Sequence, residues 1–241
     1  MFMSESTIFV INSGIDAGSE LAQGLAALGH RVALITDGTA APPPGVQGLR
    51  CSFGSRGSVE HAFAEAIALC GPPQQVVASV LPALAVQACA VHQMSLLQWH
   101  AACRDAIKAL LYTLQAAFTY LGGSGGSVVA LGPALSLAGA EQLVALSTAL
   151  EGQRGLVKSA ARQWGRHGLT VNWVAVAPRA LSPLFDSLPL PVKPDAVRVA
   201  LGQGPALHEG VAGLLHFLGS PAGQALTGTT LVADGGEWMV P

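Results

Sequence analysis

The sequence predicts a single α/β domain built on a doubly wound parallel sheet of about seven strands with helices on both faces, and three observations carry that prediction. Short apolar runs alternate in order with stretches of helical periodicity. The apolar runs are too uniformly hydrophobic for a sheet with one wet face, so both faces must be covered. No linker, charge block or internal repeat divides the 241 residues, and a chain of that length can bury a sizeable core. Residues 1–241 are therefore taken as one domain.

The elements follow from the periodicity. Thr7-Ile-Phe-Val-Ile11 reads as a strand, the glycine-containing turn after it leads into a helix at Leu21 to Leu28, and Arg31 to Thr36 reads as the second strand. Thr39 to Gly45, with three consecutive prolines, is a stiff surface loop. Val59 to Leu69 has helical spacing and Gln75 to Val80 is the next strand. A long helix runs from about Ser95 to Leu121 and is stopped by Gly122-Gly-Ser-Gly-Gly126, after which Ser127 to Leu131 reads as a buried strand. A second long helix covers roughly Glu141 to Gly165, followed by a strand at Gly168 to Val176. Pro178 to Pro205 is an irregular, proline-rich excursion, Glu209 to Leu218 is a helix, and Thr229 to Ala233 closes the sheet.

Composition removes several function classes. Charged residues are 11% of the chain, about half the usual share, so part of the surface is expected to be covered in an oligomer. No apolar run approaches the roughly 20 residues a spanning helix requires, which argues against a membrane protein. The start lacks a basic segment followed by an apolar stretch and a cleavage site, so a cytoplasmic location is expected. The 12 Lys and Arg are spread thinly, without the aromatic interleaving of a nucleic-acid footprint. Cys51, Cys70, Cys89 and Cys103 show no metal or redox spacing and read as small apolar residues. His92 and His100, eight apart, read as surface or locally hydrogen-bonded histidines rather than metal ligands, and Trp173 and Trp238 as core and interface anchors.

Two segments carry a resemblance. Gly219-Ser-Pro-Ala-Gly-Gln-Ala-Leu-Thr-Gly-Thr-Thr-Leu-Val-Ala-Asp-Gly-Gly236 resembles the ending of short-chain dehydrogenases/reductases, and Gly155-Leu-Val-Lys-Ser-Ala-Ala-Arg162 with Gly168-Leu-Thr-Val-Asn172 resembles that family's helix and following strand. With the β-α-β opening, the similarity spans nearly the whole chain. It implies a Rossmann-like fold, with a nucleotide-binding half over about 1–130 and a helix-interface and C-terminal half over about 131–241.

Carried over position by position, the resemblance implies a chain without the family's chemistry. The active-site Tyr and Lys fall on Leu146 and Leu150. The only tyrosines, Tyr112 and Tyr120, are followed four residues on by Ala116 and Ser124, so no Tyr-x-x-x-Lys exists anywhere. That pair is needed because the Tyr hydroxyl moves a proton while the Lys ammonium lowers its pKa, and leucine does neither. The serine position falls near Gly132-Pro133, with Ser136 close by, and the relay asparagine falls at about Ala106.

The three loop glycines map to Asn12, Asp16 and Gly18, of which one survives, and Asp16 would set a carboxylate beside a pyrophosphate. Gly14 is the residue positioned to restore the turn. The Asn-Asn-Ala-Gly strand end becomes Ala78-Ser-Val-Leu81, the Pro-Gly beside the nicotinamide becomes Pro178-Arg179, and the aspartate near the adenine becomes Ser52. Asp37 lies where an acid would hold the ribose, and reads equally as a solvated loop residue.

The expectation is a non-catalytic subunit that binds no cofactor itself. An active short-chain dehydrogenase homologue would pair with it in a heterotetramer, bind NAD or NADP, and act on a hydroxyacyl-CoA or 3-oxoacyl-type substrate. Two alternatives stay open: a nucleotide or metabolite sensor, favoured by Asp37 and Gly18, and an active oxidoreductase with atypical residues.

Overall fold

The computed structural model describes residues 6–188 and 199–239. Its elements are β1 (Thr7–Gly14), α1 (Gly18–Ala27), β2 (Arg31–Thr36), β3 (Val46–Arg50), α2 (Arg56–Cys70), β4 (Gln75–Leu81), α3 (Leu96–Trp99), α4 (Asp105–Leu121), β5 (Gly126–Pro133), α5 (Val144–Trp164), β6 (Leu169–Val176), α6 (Pro178–Leu181), α7 (Ala212–Gly219) and β7 (Thr230–Ala233). The strands form one sheet in the order β3-β2-β1-β4-β5-β6-β7, and every pairing is parallel. Helices α1 and α7 pack together on one face, and α2, α4 and α5 on the other. This is the single-domain doubly wound sheet that the alternating pattern predicts.

The strands are apolar because they are buried on both sides. All eight residues of β6 and all seven of β4 are buried, as parallel sheets require. Phe9 on β1 meets Phe63 on α2 edge to face at 5.6 Å between ring centroids, and Trp173 on β6 is the largest fully buried side chain. Chain order reverses between β1 and β4, the neighbours at the centre of the sheet, where Ser13 pairs with Val80 and Gly14 with Leu81. A crevice at the carboxyl ends of such strands is where open α/β sheets bind ligands.

Four boundaries differ from the sequence reading. The seventh strand is β3, a short piece after the proline loop whose two buried residues are Val46 and Leu49. The Ser95 start is a capping box, with the Ser95 hydroxyl accepting from the Gln98 N–H and the Gln98 carbonyl oxygen accepting from the Ser95 N–H. The helix there is interrupted by a π turn at His100–Arg104 before α4 begins. Helix α5 begins at Val144 rather than Glu141, because Gln142 has φ +60 and its carbonyl accepts from the Cys89 N–H at 2.7 Å. A second π turn, Leu207–Val211, precedes α7. Of the proline-rich excursion, α6 and a 3₁₀ turn at Pro183–Ser187 are described, while residues 189–198 lie outside the described residues.

Helix α1 approaches the turn before α7 through a glycine. A Cβ placed on Gly24 would lie 2.2 Å from the His208 carbonyl oxygen, which is backbone and cannot swing aside. Gly24→Ala is therefore expected to lower unfolding stability by about 1–3 kcal/mol, the range for overpacking, despite alanine's better helix propensity. Urea denaturation followed by circular dichroism checks this; unchanged or raised stability contradicts the close packing.

Candidate functional site

The centre of the site is the turn from β1 into α1. Asn12 is buried at the end of β1, and its side-chain oxygen accepts from the Ala17 N–H at 3.3 Å and the Gly18 N–H at 3.0 Å. Asp16 caps the same helix end, accepting from the Ser19 N–H at 3.2 Å and the Ser19 hydroxyl at 3.1 Å. A Cβ on Gly18 would fall 2.5 Å from the Asn12 Cβ, so Gly18 is required by the side chain packed on it. Gly14 makes the turn at φ +86, where any Cβ would strike the Leu81 carbonyl. The Asp37 carboxylate, exposed to solvent, also accepts from the Ser13 hydroxyl at 2.7 Å and the Gly14 N–H at 3.0 Å.

A helix N-terminus holds a phosphate with free N–H groups and its positive dipole end. Here the first three N–H groups of the α1 start already have side-chain acceptors, one of them a carboxylate. These residues do not fit a dinucleotide's pyrophosphate. The geometric role of Asp16 is that of a helix cap. Beside this turn lies a cavity of about 500 Å³ lined by Ser13, Asp37, Arg50, Ser52, Asp105 and Lys108 among others. Its charges are committed: Lys108 pairs with Asp105 at 3.2 Å, and the Arg50 guanidinium donates to the Gly38 carbonyl. Burial pushes the Asp105 carboxyl up, but hydrogen bonds from Arg104 and Lys108 outweigh it and leave the group below its ordinary value. Burial, reinforced by Asp37, raises the Cys51 thiol to about 11, so it is no nucleophile near neutrality.

The second corner is formed by β5, α4 and α5. Leu146 and Leu150 are fully buried in the hydrophobic core. A Cβ on Gly132 would meet the Leu150 Cδ2 at 2.7 Å and the Trp173 ring at 2.9 Å, so those two side chains fill the space at the end of β5. Pro133 is buried, Ser136 is half-buried in a 3₁₀ turn at Ala134–Leu137, and Ala106 is buried on α4. Tyr120 stacks on Phe63 at 6.1 Å and Tyr112 packs against the core, both on α4. Trp173 is the core anchor the sequence suggests. Trp238 also packs on its own chain's core, with its backbone N–H donating to the Asp234 carboxylate at 2.8 Å, which leaves Met239 as the exposed apolar residue of the described tail.

Sequence reasoning missed Gln153. It is almost fully buried, and its Nε2 donates to the Val80 carbonyl at 2.9 Å and the Ala106 carbonyl at 3.2 Å, tying α5 to β4 and α4. The signal was available: Leu146, Leu150, Gln153 and Val157 share one buried helical stripe, and an amide on such a stripe must find partners.

A wider cleft of about 960 Å³ opens beyond β6, lined by Glu20, Arg179, Gly204, Leu207 and Glu237 among others. Arg179 pairs with Asp186 at 2.9 Å. Burial, with Asp234 adding to it, raises the Glu237 carboxyl. Among the described residues, no cluster of His, Cys, Asp and Glu could hold a metal ion, and no helix is long and apolar enough to cross a membrane.

A family model described as enoyl-(acyl carrier protein) reductase matches residues 12–237. The chain belongs to the short-chain dehydrogenase/reductase superfamily. Among curated members it is similar to the short-chain dehydrogenase RED2 of Pyricularia oryzae, 35% identical over 120 residues that cover 47% of this chain and 42% of that protein. It is also similar to the 12alpha-hydroxysteroid dehydrogenase of a Clostridium species, 29% identical over 138 residues covering 55% and 52%. The matched region is about half the length of these curated relatives. Among solved structures, sorbitol-6-phosphate 2-dehydrogenase SrlD of Erwinia amylovora superposes with a TM-score of 0.79 at 20% identity, covering 97% of this chain and 100% of that one. A short-chain dehydrogenase/reductase of Serratia marcescens superposes at 0.75 with 18% identity, covering 96% and 97%. Both share the Rossmann-like fold of this superfamily member.

If Asn12 caps α1 in place of an anion, removing its amide exposes unpaired N–H groups in a buried turn. Asn12→Ala is expected to cost about 0.5–2 kcal/mol of unfolding stability, as loss of a helix cap does. Chemical denaturation measures it; a stability change within experimental error contradicts the capping role.

Proposed function

We propose that this superfamily member is a non-catalytic structural or regulatory subunit of a hetero-oligomeric short-chain dehydrogenase, with hydride transfer carried out by an active homologous partner. One observation carries the reading: Leu146 and Leu150, at the positions of the family's Tyr and Lys, are fully buried core residues with no polar atom to offer a substrate. The internally capped α1 start supports the companion expectation that NAD or NADP binds to the partner and not to this chain.

An associating role fits the surface. Residues 66–103 contain no Asp, Glu, Lys or Arg, and within that stretch Leu84, Val91, Leu96 and Leu97 are large apolar side chains exposed to solvent, Leu97 to 81%. Helices α4 and α5 and the C-terminal tail are the elements through which the family assembles, and in a heterotetramer they would meet the active partner. Val240 and Pro241 of that tail lie outside the described residues. In overall sequence pattern the chain resembles the inactive subunit of 2-(α-hydroxybenzyl)succinyl-CoA dehydrogenase of anaerobic toluene breakdown. A hydroxyacyl-CoA or 3-oxoacyl-type substrate of the complex follows from that resemblance.

The sensor reading is favoured by a different observation, the 500 Å³ cavity that Ser13, Asp37 and Ser52 line beside the α1 turn. Calorimetry with NAD(H), NADP(H) and adenine mononucleotides separates the two: micromolar binding by the chain alone supports the sensor, and silence supports the subunit.

Co-expression with an active homologue from its own genome is expected to give a mixed tetramer. In that complex, replacing the partner's catalytic Tyr should abolish NAD(P)H-linked turnover of 3-oxoacyl-CoA substrates, whereas Asp16→Gly here should leave it nearly unchanged. Turnover by the pure chain, or a soluble monomer that ignores every neighbouring dehydrogenase, contradicts the subunit reading.

A further inference from the structure

We propose that His30 and His216 form a proton-operated latch that holds α7 against the amino-terminal end of β2 and lets it go in acid. His30 stands in the turn between α1 and β2, and His216 lies on α7. Their rings meet through His30 Nε2 and His216 Nδ1 at 2.7 Å, with ring centroids 4.9 Å apart. The other nitrogen of His30, Nδ1, lies 2.7 Å from the Ser6 hydroxyl. Both nitrogens of one imidazole are thus engaged in a chain that runs from the start of β1 through the β2 entry to α7.

Counting protons gives the device its behaviour. With both rings neutral, the Ser6 hydroxyl donates to His30 Nδ1, and His30 Nε2–H donates to His216 Nδ1. With one proton added to the pair, His216 Nδ1–H donates to His30 Nε2 and His30 Nδ1–H donates to Ser6. With two, N–H faces N–H and cation faces cation, and the chain has no acceptor left at its centre. The latch therefore accepts one proton and is broken by the second.

The neighbouring charges leave this behaviour to the pair itself. Helix α1 carries only Glu20, α7 carries no acid and no Lys or Arg, and β1 carries no ionisable side chain. Arg31, next in sequence, directs its guanidinium to the Cys70 carbonyl. Toward the other end of the seam, His208 faces Glu20 at 3.8 Å and Glu209 at 3.7 Å. Burial first, and then His216, lowers the His30 pKa below 6.5, with the Ser6 contact opposing. The unfolded chain then binds more protons than the folded one. Stability is accordingly fully present above the ordinary histidine value and is lost as pH falls through the lowered one.

What the latch controls is the seam between α1 and the turn leading into α7. Glu20 of α1 and Leu207 of that turn both line the 960 Å³ cleft, so freeing α7 loosens one of its walls. This inference stands whether or not the chain is a subunit of a larger enzyme.

The test is hydrogen exchange on the full chain at about pH 7.5 and about pH 5, corrected for intrinsic rates, with histidine ring titration by NMR alongside. Protection of residues 207–219 relative to β5 should fall on the order of tenfold in acid. In His216→Gln, whose amide oxygen can accept from His30 but which never becomes a cation, the loss should shrink to less than about twofold. The His30 ring signal should titrate below 6.5 in the unsubstituted protein, a readout that holds even if the variant folds poorly. Glu5 lies outside the described residues, and Glu5→Gln should keep the full acid response. Equal losses in the unsubstituted protein and His216→Gln, His30 titrating at or above its ordinary value, or an acid response that disappears in Glu5→Gln each overturn the latch.

Discussion

The side-chain oxygen of Asn12, buried at the end of β1, organises the centre of this molecule. It binds the first N–H groups of α1, the Cβ and Cγ of the same side chain lie on Gly18 so that no larger residue fits there, and the residue sits at the point where strand order reverses. A doubly wound sheet leaves those N–H groups pointing at whatever occupies the crevice, and their positive end must be answered by something. In this chain the answer is covalently attached. Asn12 and Asp16 supply from the protein the acceptors that an anion supplies elsewhere, and the Asp37 carboxylate does the same for Ser13 and Gly14.

The second corner follows the same logic with apolar groups. Leucines at 146 and 150 close over β5 together with Trp173 and become part of one continuous core with the sheet. Full burial of a leucine contributes about 1.5–3 kcal/mol relative to an exposed one. A polar side chain in the same place would be cut off from water and would need hydrogen-bond partners of its own. Stability and chemistry therefore compete for these positions.

Most of the fold was legible because its signals are local and repeated: uniform apolar strands, helical periodicity and the glycine stop after Leu121. What was not legible depends on contacts between distant segments. The strand at Val46–Arg50 is short, contains Gly48 and has only two buried residues, so it carries little pattern of its own. The late start of α5 is imposed by a backbone bond from Cys89, more than fifty residues earlier. At the site, the absence of a Tyr-x-x-x-Lys pair could be read from the spacing of the two tyrosines alone. That Asn12 and Asp16 act as helix caps could not, because capping depends on where a side chain points. Gln153 could have been found from the mismatch between an amide and its apolar stripe.

The contact between Gly132 and Leu150 has an evolutionary consequence. A serine at position 132 would drive its Cβ into Leu150 and Trp173, and shortening Leu150 first would open a void costing about 2–5 kcal/mol before any function appeared. The effects of the two substitutions are therefore expected to be non-additive, as they are for residues in contact. The packing thus couples the two positions: a side chain at 132 and a leucine at 150 draw on the same space, so the residue held at one restricts what the other can become.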